Sequence, residues 1–372
     1  MTFKYKVLSI DGGGIRGIIP AMILAEIENR TGKRIHEMFD LIAGTSTGGI
    51  IALGLTMPSE QDNKQAKYYA KDLVELYKQE GNTIFKKNES FIEKCVEQRL
   101  REVLEFLHLP FAEIDELLSA KYLSEGRETV LNKYFGDTPI KEALTEVFIT
   151  SYDTAFRLPV FFTSKRHKIQ GRCFHKVYEG FTMKQAAMAT SAAPTFFEPH
   201  KVLFSESLSK EIEKESNGYH KDDHYSLVDG GVFANNPTSL AVMEAIINTK
   251  IRDGEVEKED RLELEDILVV SLGTGSLTRK YAYDQAKKWG LVKWINPLIN
   301  ILMDGTNESV AVQLEQLLAK HQYYRFQGML DQNKGNDDMD DATPQNISNL
   351  EELAVDIINK ERQKLEELCQ ML

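Results

Sequence analysis

The stretch Phe39–Leu55, FDLIAGTSTGGIIALGL, constrains the fold of this chain more than any other. A short apolar run (Phe39, Leu41, Ile42, Ala43) reaches Gly44-Thr45-Ser46-Thr47-Gly48. Gly49, Ile50, Ile51, Ala52, Leu53 and Leu55 then continue as a helix would. The pattern predicts strand, tight turn and helix, with one serine at the bend. A sharp strand-to-helix turn leaves no room for side chains beside the serine, so small residues belong at Gly44 and Gly48. The bend lifts the hydroxyl clear of the sheet, and the helix aims free N–H groups at the same place. Gly-x-Ser-x-Gly alone also occurs as a plain glycine-rich turn, so partners elsewhere in the chain decide its meaning.

A second unit of the same kind precedes it. Tyr5–Ile10, YKVLSI, is β-rich and ends on Asp11-Gly12-Gly13-Gly14-Ile15-Arg16-Gly17, after which Ile19, Met22, Ile23 and Ile27 show helical spacing. Successive glycines let main-chain N–H groups face one small anionic object. A dinucleotide loop would want an acidic residue at the end of a second strand about 20 residues on. Glu26 and Glu28 fall in the helix instead. A phosphate loop of the Walker type needs Gly-Lys-Ser/Thr, which is absent. An oxyanion loop serving Ser46 fits best.

Downstream, the spacing predicts a helix over Lys64–Lys78 and a charged helical stretch over Glu93–Leu118. Glu146–Tyr152 and Val160–Ser164 read as strands, and Thr182–Ala193 as a short helix running into small residues. Leu203–Asp223 reads as an exposed loop with a short helix. Tyr225–Val228 is a short strand that delivers Asp229-Gly230-Gly231, Thr238–Ile247 a helix, and Asp266–Leu272 a buried strand. An acid at a strand end with glycines behind it can approach another backbone closely, although an Asp-Gly turn gives the same pattern. Trp289–Met303 is strongly apolar. Trp289 and Trp294, with Lys288 and Lys293, suit a membrane interface or an acyl-chain wall, and internal packing is the plainer alternative. Asp337–Asp341 reads as a solvated acidic loop without EF-hand spacing. Ser348 and Glu351 form a capping-box pattern ahead of a terminal amphipathic helix.

The totals narrow the classes. A net charge of −12 over 372 residues, with no dominant basic block, argues against a nucleic-acid polymer as partner. Cys95, Cys173 and Cys369 are few and scattered, so neither a disulfide framework nor a metal site is expected. A reducing, cytoplasmic setting with transient peripheral membrane contact follows as the expectation. No stretch approaches the ~20 apolar residues of a spanning helix, and the first residues lack the signature of a signal peptide.

Serine hydrolysis commonly needs a histidine base held by an acid. The histidines are His36, His108, His167, His175, His200, His220, His224 and His321, and none has the small-residue strand-end setting of a catalytic loop. Asp229 is the best placed titratable group. A carboxylate is a weak base until desolvation raises its pKa, which makes a Ser-Asp dyad workable.

Asp11-Gly-Gly-Gly-Ile-Arg-Gly17, Gly44-Thr-Ser-Thr-Gly48 and Asp229-Gly-Gly231, in this order, resemble the patatin-like phospholipases. Ser191–Phe197, Ser271–Gly275 and Met339–Ala342 extend the resemblance over nearly the whole chain. It implies a three-layer α/β/α fold with a mostly parallel central sheet and a nucleophile elbow. It implies hydrolysis of lipid acyl esters without metal or cofactor. Ser46 becomes the nucleophile, Asp229 the general base, and Gly12, Gly13 and Gly14 the oxyanion donors. Gly17, Gly44, Gly48, Gly230 and Gly231 support them, and Arg16 either holds the loop or meets a phosphate head group. Gly231 stands where plant storage patatins often have alanine, and glycine is also common in the family. Those plant proteins carry a secretion signal, so their location is not transferred. The expected organisation is one domain over 1–372, with a core of about 5–278 and a helical extension of about 280–372. The alternatives are an effector that degrades membranes once a cyclic nucleotide binds, and a non-enzymatic storage protein.

Overall fold

β1 (Tyr5–Ile10) is buried along almost its whole length because a parallel strand lies on each side of it and apolar layers cover both faces. Such strands read as near-continuous apolar runs. The computed structural model describes residues 3–87, 120–165, 175–177, 180–204, 223–251, 262–276, 280–330 and 338–372. The stretch Glu93–Leu118, most of the loop Leu203–Asp223, and Asp337 lie outside the described residues. So do Cys95, Cys173, His108, His167, His220 and the side chain of His175.

Among the described residues, nine strands form one sheet. After β1 come β2 (Leu41–Thr45), β3 (Glu146–Asp153), β4 (Leu158–Thr163) and β5 (His175–Val177). They are followed by β6 (His200–Leu203), β7 (His224–Asp229), β8 (Ile267–Leu272) and β9 (Tyr323–Phe326). The order is β5-β4-β3-β2-β1-β8-β9, with β7 against β3 and β6 against β7. The run from β9 to β3 is parallel, while β4 and β7 lie antiparallel to β3.

The helices that bear on the site and the core are α1 (Ile18–Thr31), α2 (Thr47–Thr56), α3 (Ala70–Ile84), α4 (Ser124–Phe135) and α5 (Met183–Thr190). The short α6 (Gly231–Ala234) leads to α7 (Thr238–Ile251), α8 (Leu291–Leu317), α9 (Pro344–Lys360) and α10 (Arg362–Met371). Side chains of a strand alternate between faces. Val7, Val269 and Leu41 therefore pack with Ala241, Val242 and Leu314 from α7 and α8. Leu8, Val270 and Ile42 face the other way, onto Ile23, Ile51 and Ala354 from α1, α2 and α9. The result is the expected α/β/α sandwich around a mostly parallel sheet, and each large side chain buried in it contributes about 1.5–3 kcal/mol.

Several boundaries differ from the sequence reading. α3 begins at Ala70 rather than Lys64, because the Asp72 carboxylate accepts the Tyr69 N–H at 2.8 Å and Glu28 accepts the Ala70 N–H at 2.8 Å. α9 begins at Pro344, one turn before the Ser348 pattern, with Thr343 Oγ1 accepting the Asn346 N–H. The region from 280 onward is more than a helical extension. It supplies β9 to the sheet, and Leu350, Ile357, Leu365 and Leu368 belong to the main core. The acidic loop is not wholly solvated either. Asp340 accepts from Tyr122 Oη at 2.6 Å and pairs with Lys121 at 2.5 Å.

α8 runs well beyond Met303, to Leu317. Its outer side leaves Trp294, Leu298, Ile301 and Leu302 between 37% and 49% exposed. Trp289 packs edge-on against Tyr281 and Trp294, with centroids 5.4 and 5.1 Å apart. Among the described residues, no helix is long and apolar enough to cross a membrane.

Candidate active site

The glycine loop after β1 is fastened at several main-chain groups. Asp11 donates its N–H to Leu272 O at 3.0 Å, and Ile15 donates to Met339 O at 2.8 Å. The Gly12 carbonyl accepts Thr274 Oγ1 at 2.7 Å. Arg16, 4% exposed, donates through Nε to the Gly13 carbonyl at 3.3 Å. Arg16 thus holds the loop, and it is not part of the cavity wall described below. Gly12 departs from the oxyanion expectation, because its N–H is given to Asn235 O at 3.0 Å. Gly13 and Gly14 line the cavity beside Ser46, and among the described residues their N–H groups have no acceptor. Beneath the loop, Asp11 and Arg325 of β9 form a two-pronged ion pair at 3.0 and 2.6 Å.

Ser46 follows β2 with φ 55° and ψ −122°, a left-handed conformation that a serine adopts only under constraint. Thr190 Oγ1 accepts the Ser46 N–H at 2.8 Å. The bend is tight enough that a Cβ on Gly44 would sit 2.2 Å from Gly48 O, and one on Gly48 would sit 2.2 Å from Ile10 O. A Cβ on Gly17 would meet Thr47 Oγ1 at 2.2 Å, so the two strand-loop-helix units interlock through missing side chains.

Asp229 ends β7 and is fully buried. Its Oδ1 accepts the Gly231 N–H at 2.7 Å, and its own N–H donates to Ala192 O at 2.9 Å. Gly230 abuts β3, where a Cβ would lie 2.1 Å from Thr150 Oγ1. Burial pushes the carboxyl pKa up to about 6, and hydrogen bonding from Ser46, the Gly231 N–H and the charge of Arg127 oppose the rise. Ser46 is therefore its side-chain hydrogen-bonding neighbour, though the contact falls short of a well-formed bond, since Oδ2 has no donor in bonding geometry. Such contacts commonly tighten only when substrate is bound.

Both side chains line one cavity of about 50 Å³. Its walls are mainly apolar: Ile50, Ile84, Phe85, Phe196, Phe197, Met303 and Met339. Among the described residues no histidine lines it. Met303 comes from α8, so the helix with the exposed apolar side also closes the cavity.

Sequence reasoning missed Arg127, Asn235, Thr190 and Arg325. Arg325 left one trace, a cation inside the apolar run Tyr323–Phe326. Arg127 sits in a charged segment and left none.

A family model described as patatin-like phospholipase matches residues 8–242. Patatin-like protein 1 of Arabidopsis thaliana is 31% identical over 367 residues, covering 93% of this chain and 80% of that protein. Patatin-like protein 2 of Oryza sativa subsp. indica is 32% identical over 374 residues, covering 95% and 84%. Among solved structures, VipD from Legionella pneumophila aligns with 96% of this chain and 67% of its own, at 12% identity and a TM-score of 0.40. With a family model spanning more than half of its length and relatives above 30% identity along almost all of it, this chain belongs to the patatin-like phospholipase family.

Proposed function

We propose that the chain hydrolyses carboxyl esters of membrane lipids through Ser46 and Asp229. One observation carries this reading: the only serine of the elbow and a fully buried aspartate meet in an apolar cavity beside two main-chain N–H groups without acceptors. Asp229 removes the proton from Ser46 as Oγ attacks the ester carbonyl. The N–H groups of Gly13 and Gly14 receive the oxyanion, a contribution commonly worth a hundredfold or more in rate. The protonated Asp229 then gives its proton to the departing alkoxide, leaving an acyl-serine. Asp229 next takes a proton from the attacking water and returns it to Ser46 Oγ as the acyl bond breaks, which releases the fatty acid and restores both side chains. A carboxyl with a pKa of about 6 is a stronger base than an ordinary aspartate and is still ionised at neutral pH. The apolar walls suit an acyl chain.

The exposed side of α8, with Trp294, Leu298, Ile301 and Leu302, is the surface that meets the lipid layer. Lys287, Lys288 and Lys293 at its start are exposed and suit anionic head groups. The same helix reaches the cavity through Met303, which supports a lipid-facing surface beside the site. Lipid mass spectrometry of a defined phospholipid mixture tests the activity: wild type releases free fatty acid, Ser46→Ala does not, and equal release by both would refute the proposal.

A further inference from the structure

Arg127 is a buried cation less than half of whose hydrogen-bonding capacity is used. It projects from α4, is 1% exposed, and lines the cavity that holds Ser46 and Asp229. Nη1 donates to the Ser191 carbonyl and, at 3.3 Å, to Ser191 Oγ. The ring of Phe197 covers the guanidinium, with Cζ 4.1 Å from the ring centroid, and so fixes its plane. Nε and Nη2 are buried and have no hydrogen-bond partner. These two nitrogens share one edge of the guanidinium, the edge that meets two oxygens of a phosphate or carboxylate at once. A desolvated cation with idle donors is costly, and such groups call for a partner. Asp229 shares the cavity and attracts Arg127 through space, and among the described residues no ion pair joins the two.

The rest of the wall offers no competitor. Among the described residues lining the cavity, Arg127 is the one cation. Arg16, the arginine that the sequence offered for a head group, is turned into the glycine loop. Burial pulls the Arg127 pKa down to about 10, so the group stays charged at neutral pH.

We infer that Arg127 anchors the substrate's head group: its Nε/Nη2 edge takes the phosphodiester of a glycerophospholipid whose acyl ester lies at Ser46. The inference rests on the ester hydrolysis proposed above and assigns the residue that tells phosphodiester lipids from neutral glycerides and galactolipids. In a glycerophospholipid only the glycerol unit separates phosphate from acyl carbonyl, and Arg127 and Ser46 line the same cavity. The chemistry recognised is a phosphate anion, whether carried by a lipid or free in solution.

The test compares monomeric diheptanoylphosphatidylcholine with diheptanoylglycerol, at pH 9 so that Asp229 is ionised in every variant. Wild type should favour the phospholipid in kcat/KM. In Arg127→Gln the ratio of the two kcat/KM values should fall about 30-fold or more, mainly through KM of the phospholipid, as expected for a charge-assisted pair of hydrogen bonds. Arg127→Lys removes the fork and holds its charge less firmly in the same buried setting, so its ratio should also fall, by a smaller factor than in Arg127→Gln. This variant carries the test if the glutamine variant does not fold. A ratio unchanged in both variants would overturn the assignment. So would inhibition of wild type by inorganic phosphate without any preference between the two lipids, which would mark a free-anion site instead. If Ser46→Ala cleaves both lipids as fast as wild type, the hydrolase proposal itself fails, and that outcome does not depend on the ratio.

Discussion

Thr45 and Asp229 are registered against consecutive residues of β3, Thr150 and Ser151. β2 and β7 run toward each other along the same edge of that strand and end one residue apart. Ser46 follows Thr45 directly, so backbone pairing sets the separation of the two side chains. Thr45 Oγ1 donates to Ala234 O at 2.6 Å, and Ser151 Oγ donates to Val228 O at 2.7 Å. The first bond ties the two turns to each other, and the second ties β7 to the strand that registers both. Preorganisation of this kind spares the site a rearrangement during reaction.

Activity should depend on pH through Asp229. Its base form is lost as pH falls through about 6, the value to which burial pushes it. The kcat/KM for a soluble short-chain ester should therefore fall about tenfold per unit below that point. An acidic limb near 4 would instead indicate a carboxylate in ordinary solvent.

The same shift affects stability. The folded pKa of about 6 lies above the ordinary value of 3.8, so the native state holds the proton more tightly than the unfolded chain. Stability from this group is fully present below about pH 4 and is lost as pH rises through 6. Asp229→Asn, which never ionises, should gain on wild type between pH 4 and pH 7 by on the order of 3 kcal/mol. Urea unfolding at both pH values measures it, and an equal difference at both would contradict the burial of a charged carboxylate.

Arg325→Met should be costly even though it places an apolar side chain inside the protein. It leaves the Asp11 carboxylate, 0% exposed, without its ion-pair partner. Breaking one side of a buried pair typically costs about 3–5 kcal/mol. The double variant Asp11→Asn/Arg325→Met should recover much of that loss in urea midpoint. A double variant as unstable as Arg325→Met would show that the pair is not what the substitution breaks.

Changing Trp294, Leu298 and Leu302 together to serine should weaken sedimentation with anionic vesicles by about tenfold or more. Hydrolysis of a soluble ester should change far less than hydrolysis of vesicle lipid. Equal losses on both would point to damage at Met303 and the cavity rather than at a lipid-facing surface.

The sheet core and both loops were legible in the sequence because each joins an apolar strand to glycines whose Cβ atoms have no room. Gly48 illustrates this: its spacing from Ser46 announces a turn that the main chain of Ile10 then fills. Residues that act over long separations were not legible. Arg325 lies 314 positions from Asp11, and nothing local to either announces the pair. Arg127 reads as an exposed helical charge until α4 is packed beside α5 and Phe197. The start of α3 was missed because Glu28, on another helix, accepts its first N–H. Gly12 was assigned as a donor because three consecutive glycines look equivalent until Asn235 accepts the N–H of one of them.

Proton transfer between Ser46 and Asp229 is tested most directly by the rate of labelling with a fluorophosphonate, read as intact mass. Wild type should gain one adduct, Ser46→Ala none, and Asp229→Asn should label at least about a hundredfold more slowly. Labelling of Ser46→Ala, or of Asp229→Asn at the wild-type rate, would contradict the dyad.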